Sequence, residues 1–191
     1  MHENLLQHIS KFVSLTENDQ QLLIAKMQFL KVRKKGYLLK PQHICDGRYF
    51  VVSGCLRQYV LKDNGGEQII QFAIPGWWMS DHHSFESKKP SFYYIQATED
   101  TEIAMMDLAA QEILFREIPA LETYFRLVLQ RAYDASLTRM YYMFCKSGEE
   151  RYHNFARSFP EFVQQVPQYM LASFLGLTPE FISTVRSKKN K

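Results

Sequence analysis

Residues 166–191, VPQYMLASFLGLTPEFISTVRSKKNK, read as two short helices around a tight turn and a cationic tail, the outline of a helix-turn-helix. In the first helix Tyr169, Ala172, Ser173 and Leu175 recur at the spacing that places small and apolar groups on one face. Ala172 lets a second helix come close. Gly176 stands where the first helix should stop, because glycine enters the left-handed conformation of a helix C-terminus without a Cβ penalty. Leu177 then fills the space between the helices. Thr178 is the N-cap candidate of the second helix, Pro179 suits its first position, and Glu180 in the first turn complements the helix dipole. Phe181, Ile182 and Val185 supply its inward face. Pro179, Glu180, Ser183, Thr184 and Arg186 are left outside, the set that can enter a major groove. An ordinary helical hairpin packed on a larger domain has the same pattern, so the motif alone leaves both readings open.

Charge favours the first reading. Residues 1–144 carry 16 basic and 16 acidic side chains, whereas residues 145–191 carry seven basic and four acidic, so the net charge of +3 lies in the C-terminal quarter. Arg186, Lys188, Lys189 and Lys191 are its densest cluster, placed where the second helix would run along phosphates. A solvated lysine-rich terminus has the same composition. At 191 residues, 46% hydrophobic and 14% aromatic, the chain supports one good core and a smaller second one. No run approaches the roughly 20 apolar residues that span a bilayer. The N-terminus lacks the order of a signal peptide. A cytoplasmic protein without a membrane partner is expected. Cys45, Cys55 and Cys145 are odd in number and fit neither zinc nor iron-sulfur spacing, which predicts reduced, structural thiols.

Working outward, the first 30 residues predict helices, with Leu5, Ile9, Phe12 and Val13 on one stripe. Leu22, Leu23, Ala25, Lys26 and Met27 follow the cap candidates Thr16 and Asn18. These helices should cover a sheet. Residues 29–106 are short β-rich runs punctuated by glycine and proline, the texture of an antiparallel roll or sandwich. DNGG at 63–66 predicts a hairpin turn. Residues 108–118 predict a short helix. After Pro119 a helix about 37 Å long is expected over 120–144, with Leu121, Phe125, Val128, Ala132, Ala135, Leu137 and Met140 among its apolar positions. It serves either as a dimer seam or as a cover for its own β domain. Gly148 should break it. The predicted class is α+β: an N-terminal antiparallel β-roll with flanking helices (1–118), a connecting helix (119–146) and a helix-turn-helix domain (147–191).

A β-roll, a long helix and a terminal helix-turn-helix in this order resemble the Crp/Fnr family of bacterial transcription regulators over nearly the whole chain. Gly36, Gly47, Gly54 and Gly76 are similar to the glycine pattern of its cyclic-nucleotide-binding-like jelly roll. FAIPGWWMSDHHSF at 72–85 falls where the family carries its effector loop. QVPQYMLASFLGLTPEFISTVR at 165–186 matches the reader, with Glu180, Ser183 and Thr184 where bases are faced. The end at Lys191, without the family's usual β-hairpin wing, is similar to short regulators common in Bacteroidetes. The resemblance implies a homodimer on near-palindromic double-stranded DNA, RNA polymerase as a partner and an unidentified small-molecule effector.

The effector loop departs from the family. Ser80 and Asp81 replace the Gly-Glu pair that holds a ribose, and Ser91, Phe92 and Tyr93 stand in place of the arginine-containing phosphate motif. No arginine occurs between Arg57 and Arg116. A buried phosphate needs a charge-assisted partner, so no response to cAMP is expected. Gly76, Trp78, Ser80, Asp81, Ser91, Phe92 and Tyr93 are the effector-pocket candidates. Trp77, Trp78, Phe92, Tyr93 and Tyr94 equally suit a packed core. His82 and His83 beside Asp81, read as extended, would face opposite ways, so no metal site is assigned. No cofactor is expected either. Without a G-x-S-x-G, P-loop or Rossmann fingerprint, an enzyme is not expected. The competing class is a small-molecule-binding or protein-interaction module on a β-roll, without DNA binding.

Overall fold

In the computed structural model, which describes residues 2–188, the chain opens with α1 (His2–Ser10) and α2 (Glu17–Lys26). Eight strands and two short helices follow: β1 (Gln28–Val32), β2 (Tyr37–Leu39), β3 (Arg48–Ser53), β4 (Leu56–Leu61), β5 (Glu67–Ala73), β6 (Trp78–Met79), α3 (His82–Ser87), β7 (Tyr94–Ala97), β8 (Thr101–Met106) and α4 (Leu108–Glu117). Then come α5 (Pro119–Cys145), α6 (Gly148–Ser158), α7 (Pro160–Gln165), α8 (Gln168–Leu175) and α9 (Pro179–Lys188). Contacts divide the chain into one unit of Met1–Val60 with Ile70–Leu129 and a second of Leu61–Ile69 with Gln130–Lys191. The division falls inside α5, not at its two ends, and it places the tip of the β4–β5 hairpin with the second unit.

The first unit is the expected antiparallel roll. One sheet has the order β1-β8-β3-β6 and the other β2-β7-β4-β5. Strand β3 reads as a continuous apolar run because both its faces are buried. Tyr49 and Val51 join Leu39, Leu56, Ile95, Ile103 and Phe85 in one apolar cluster. Phe50 and Val52 meet Leu5 and Ile9 of α1, Leu23 of α2, Leu114 of α4 and Leu121, Tyr124 and Phe125 of α5 in another. Each such large side chain contributes about 1.5–3 kcal/mol by leaving water. The N-terminal helices therefore cover a sheet as their stripes predict, and Thr16 starts α2 with a complete capping box to Asp19. Gly54, at φ 83°, turns β3 into β4; a Cβ there would lie 2.6 Å from the Asp100 carbonyl oxygen, so no other residue fits.

In the second unit the break after α5 sits at 146–147. Gly148 is the first residue of α6, not a terminator, and Ser147 caps that helix in a reciprocal box with Glu150. A Cβ on Gly148 would come within 2.7 Å of Leu177 and 2.9 Å of Phe181, so the glycine lets α6 start against the turn between α8 and α9. From Leu129 onward α5 exposes a row of large apolar side chains, Leu129, Tyr133, Leu137, Met140 and Phe144, the last at 82%. Successive members are three or four residues apart and share one helix face.

Candidate functional site

Local rules place α8 and α9. Helix α8 ends at Gly176 with φ 66° and ψ 41°. The Leu177 amide donates to the Ala172 carbonyl at 2.9 Å, which satisfies a carbonyl the helix would leave open. Thr178 Oγ1 accepts the Phe181 amide at 3.2 Å, and Pro179 begins α9. Ile182 and Val185 are buried, as are Leu171, Ala172 and Leu175 of α8. Tyr169 and Phe181, expected inside, are 55% and 39% exposed. Thr178, Pro179, Glu180, Ser183 and Thr184 are all exposed, and Glu180, Ser183 and Thr184 line one face one turn apart.

Arg186 departs from its expected role as an open phosphate contact. Its Nε donates to the Tyr152 hydroxyl at 2.9 Å and its Nη2 to the Val163 carbonyl at 3.0 Å, and it lies half-buried within the unit. A guanidinium held on two internal acceptors is a brace between α9, α6 and α7. The side chain of Lys188, and Lys189 and Lys191 entirely, lie outside the described residues.

Sequence reasoning missed a second brace. Ser173, on α8, donates its hydroxyl to the Glu67 carbonyl at 2.8 Å and accepts the Ile69 amide at 2.9 Å. It thus stands in for a neighbouring strand along the hairpin tip. Gln68 Nε2 donates to the Ser173 carbonyl. Arg139 of α5 donates through Nη2 to the Phe174 carbonyl at 2.9 Å and the Ile69 carbonyl at 3.4 Å, with its guanidinium 4.1 Å from the Phe174 ring. Burial lowers the Arg139 pKa to about 10, so it remains cationic at neutral pH.

The seven effector-pocket candidates fall in different layers. Trp78 belongs to the helix-covered face: its Nε1 donates to the Tyr124 hydroxyl at 2.7 Å, which lies 2.8 Å from His8 Nδ1. Burial raises the Tyr124 pKa above the usual phenol range. Trp78 is therefore a core residue with a satisfied polar tip. Gly76, at φ 87°, forms the turn before it. Ser80 is buried and donates to the Gly47 carbonyl at 2.9 Å. Asp81 is buried and caps α3 by accepting the Ser84 amide at 3.2 Å. Ser91 is buried with its hydroxyl accepting the Tyr93 amide at 2.9 Å, while Phe92 is 62% exposed and rests on Tyr93 at 4.2 Å between ring centroids. His82 and His83 open helix α3 instead of an extended segment. An ion pair between buried Arg48 and exposed Glu86, Nη2 to Oε1 at 2.7 Å, ties α3 to β3. Cys45 and Cys55 are buried free thiols, and Cys145 is an exposed one. Among the described residues no helix is long and apolar enough to cross a membrane.

Comparison with known proteins agrees with this architecture. Residues 29–117 match the family model of the cyclic nucleotide-binding domain. The transcriptional regulatory protein Btr of Bordetella pertussis is 24% identical over 200 residues, spanning 96% of this chain and 80% of Btr. Among solved structures, the c-di-GMP responsive global regulator CLP of Xanthomonas campestris is similar with a TM-score of 0.74 at 13% identity, covering 92% of each chain. A protein of Eubacterium rectale assigned to the Crp/Fnr family of transcriptional regulators is similar with a TM-score of 0.67 at 18% identity, covering 90% of this chain and 82% of its own. With a cyclic nucleotide-binding domain at 29–117, a long helix and two C-terminal helices around a tight turn, the chain shares the fold of these regulators.

Proposed function

We propose that the protein is a dimeric, sequence-specific regulator that binds double-stranded DNA, with α9 as its major-groove helix. The reading is carried by the exposed polar face of Glu180, Ser183 and Thr184 on a helix started by a threonine cap and seated against buried α8. Glu180, an acceptor, suits the cytosine N4 amino group; Ser183 and Thr184 meet adjacent base edges, with Thr178 and Pro179 at the helix entry. Lys188 and Lys189 hold phosphates. The apolar stripe Leu129, Tyr133, Leu137, Met140 and Phe144 supports a seam between two copies of α5. Two reader helices about 34 Å apart then meet successive major grooves of a near-palindromic operator.

In this reading residues 1–118 form the effector domain, 119–146 the connecting and dimerisation helix, and 147–191 the reader. The internal bonds of Ser80, Asp81 and Ser91 leave the loop poorly suited to a cyclic phosphate, so calorimetry should detect no tight cAMP binding. A different small molecule would act by favouring one of two dimer arrangements. RNA polymerase is the expected partner on DNA, and the cytoplasm the expected location. Fluorescence anisotropy on duplexes across a salt series tests the reading. Lys188→Ala with Lys189→Ala should flatten the log–log salt slope by about 2 per protomer. Glu180→Ala should alter sequence preference and leave the slope alone. Binding indifferent to salt and sequence would replace the DNA reader with an interaction module whose C-terminal helices only pack.

A further inference from the structure

Two exposed hydroxyl groups of α9, on Thr184 and Ser187, have their hydrogens already committed. Thr184 Oγ1 donates to the Glu180 carbonyl one turn back at 3.0 Å. Ser187 Oγ donates likewise to the Thr184 carbonyl at 2.8 Å. A threonine bonded to its own helix in this way has no hydrogen left for a base. What its exposed side chain offers outward is the γ-methyl and the remaining lone pairs of Oγ1.

The neighbours narrow the chemistry further. Glu180 presents a carboxylate, which only accepts. Thr178 Oγ1 accepts the Phe181 amide, Pro179 has no N–H, and Thr178 and Ser183 each bring a single hydroxyl hydrogen. Arg186 directs Nε and Nη2 at Tyr152 and Val163. Guanine shows the major groove two acceptors, N7 and O6, which call for paired donors. Around Thr184 the described side chains offer single hydroxyl donors, not the two donors on one side chain that read guanine bidentately. Thymine instead shows a 5-methyl group, and apolar contact with that methyl distinguishes it from every other base edge.

We propose that Thr184 reads a thymine, its γ-methyl packing against the 5-methyl of the base, and that it is a specificity-determining residue of each half-site. This rests on the reading of α9 as a DNA-binding helix. The hydrogen bond to Glu180 supplies the orientation: by holding Oγ1 against the helix, it fixes which way the methyl faces. The side chain then acts as a small apolar probe beside the acceptor Glu180, so the two residues together favour a thymine next to an amino-bearing base.

The test uses the full-length protein and the duplex it selects from a random pool, with one thymine at a time replaced by deoxyuridine, which lacks only the 5-methyl. At one position per half-site the wild-type protein should bind the uracil duplex about fourfold more weakly, the effect of one buried methyl. Thr184→Ser keeps the hydroxyl and loses the methyl, and should bind both duplexes equally. Thr184→Val keeps a methyl and loses the hydroxyl, and should still discriminate. A purely structural role for Thr184 would change both affinities together and leave their ratio unmoved. Indifference of the wild type to uracil at every position, or discrimination that survives in Thr184→Ser, overturns the proposal. If no duplex is selected and none binds even at low salt, the DNA reading of α9 itself fails, and this assignment fails with it.

Discussion

Replacing Ser173 with alanine removes one oxygen and breaks two bonds to the hairpin tip. The Ile69 amide, whose residue is buried, loses the acceptor it reaches at 2.9 Å, and the Glu67 carbonyl, on an exposed residue, loses its donor at 2.8 Å. Water can re-solvate Glu67. The buried amide is the costly partner, because a donor left unsatisfied away from water costs about 1–3 kcal/mol. Urea unfolding of Ser173→Ala should therefore show a loss in this range with an unchanged m-value. Amide exchange at Ile69, followed by NMR, should quicken by about 5- to 150-fold, the same energy expressed as an opening constant. A loss below about 0.5 kcal/mol, typical of a surface substitution, with unchanged exchange at Ile69, would refute the idea that this serine completes the hairpin edge.

Other substitutions test the remaining braces. Arg186→Ala should cost about 1.5–3 kcal/mol in urea, since it deletes charge-assisted bonds to Tyr152 and Val163. In the folded protein it should leave the salt slope of duplex binding unchanged; a slope reduced by about 0.9 per protomer would restore Arg186 as a phosphate contact. Tyr124→Phe strands the Trp78 indole N–H and should destabilise by about 1–3 kcal/mol, with altered near-ultraviolet circular dichroism; an unchanged melting curve would sink that network. Burial pushes the Cys55 thiol up to about 11, whereas Cys145 is exposed. A thiol reagent at pH 8 should thus modify Cys145 first, and Cys55 slowly with a rate that climbs until about pH 11, because only the thiolate attacks. Equal rates at the two positions would contradict the burial of Cys55.

What could be read from sequence was local. Gly176 stops α8, Thr178 caps α9 and Thr16 caps α2 because each choice depends on residues within one helical turn. Alternation and turn chemistry likewise gave the antiparallel roll. Three of the misreadings involve partners distant in the chain. Arg186 looked outward on a helical wheel, yet its acceptors lie 34 and 23 residues away. Trp78 sat among pocket candidates because its neighbours are loop residues, whereas its hydrogen-bond partner, Tyr124, is 46 positions on. Ser173 passed as a small core residue; its strand partners are more than 100 residues earlier. A side chain's polar partner leaves no periodic trace, so tertiary ties of this kind escape pattern reading even where every helix is placed correctly. His82 and His83 failed for a local reason: a buried Asp81 cap starts a six-residue helix too short to show a period.

The central claim is that two copies of α9 read DNA together. Selection of bound duplexes from a random pool by the full-length protein at near-physiological salt, followed by sequencing, tests it most directly. An inverted repeat with half-site centres about 10 base pairs apart is the predicted result, since that spacing brings two major grooves to one side of the helix. Enrichment of a single unpaired site would contradict the dimer, and a pool that emerges as random as it began would contradict the assignment of α9 as the reader.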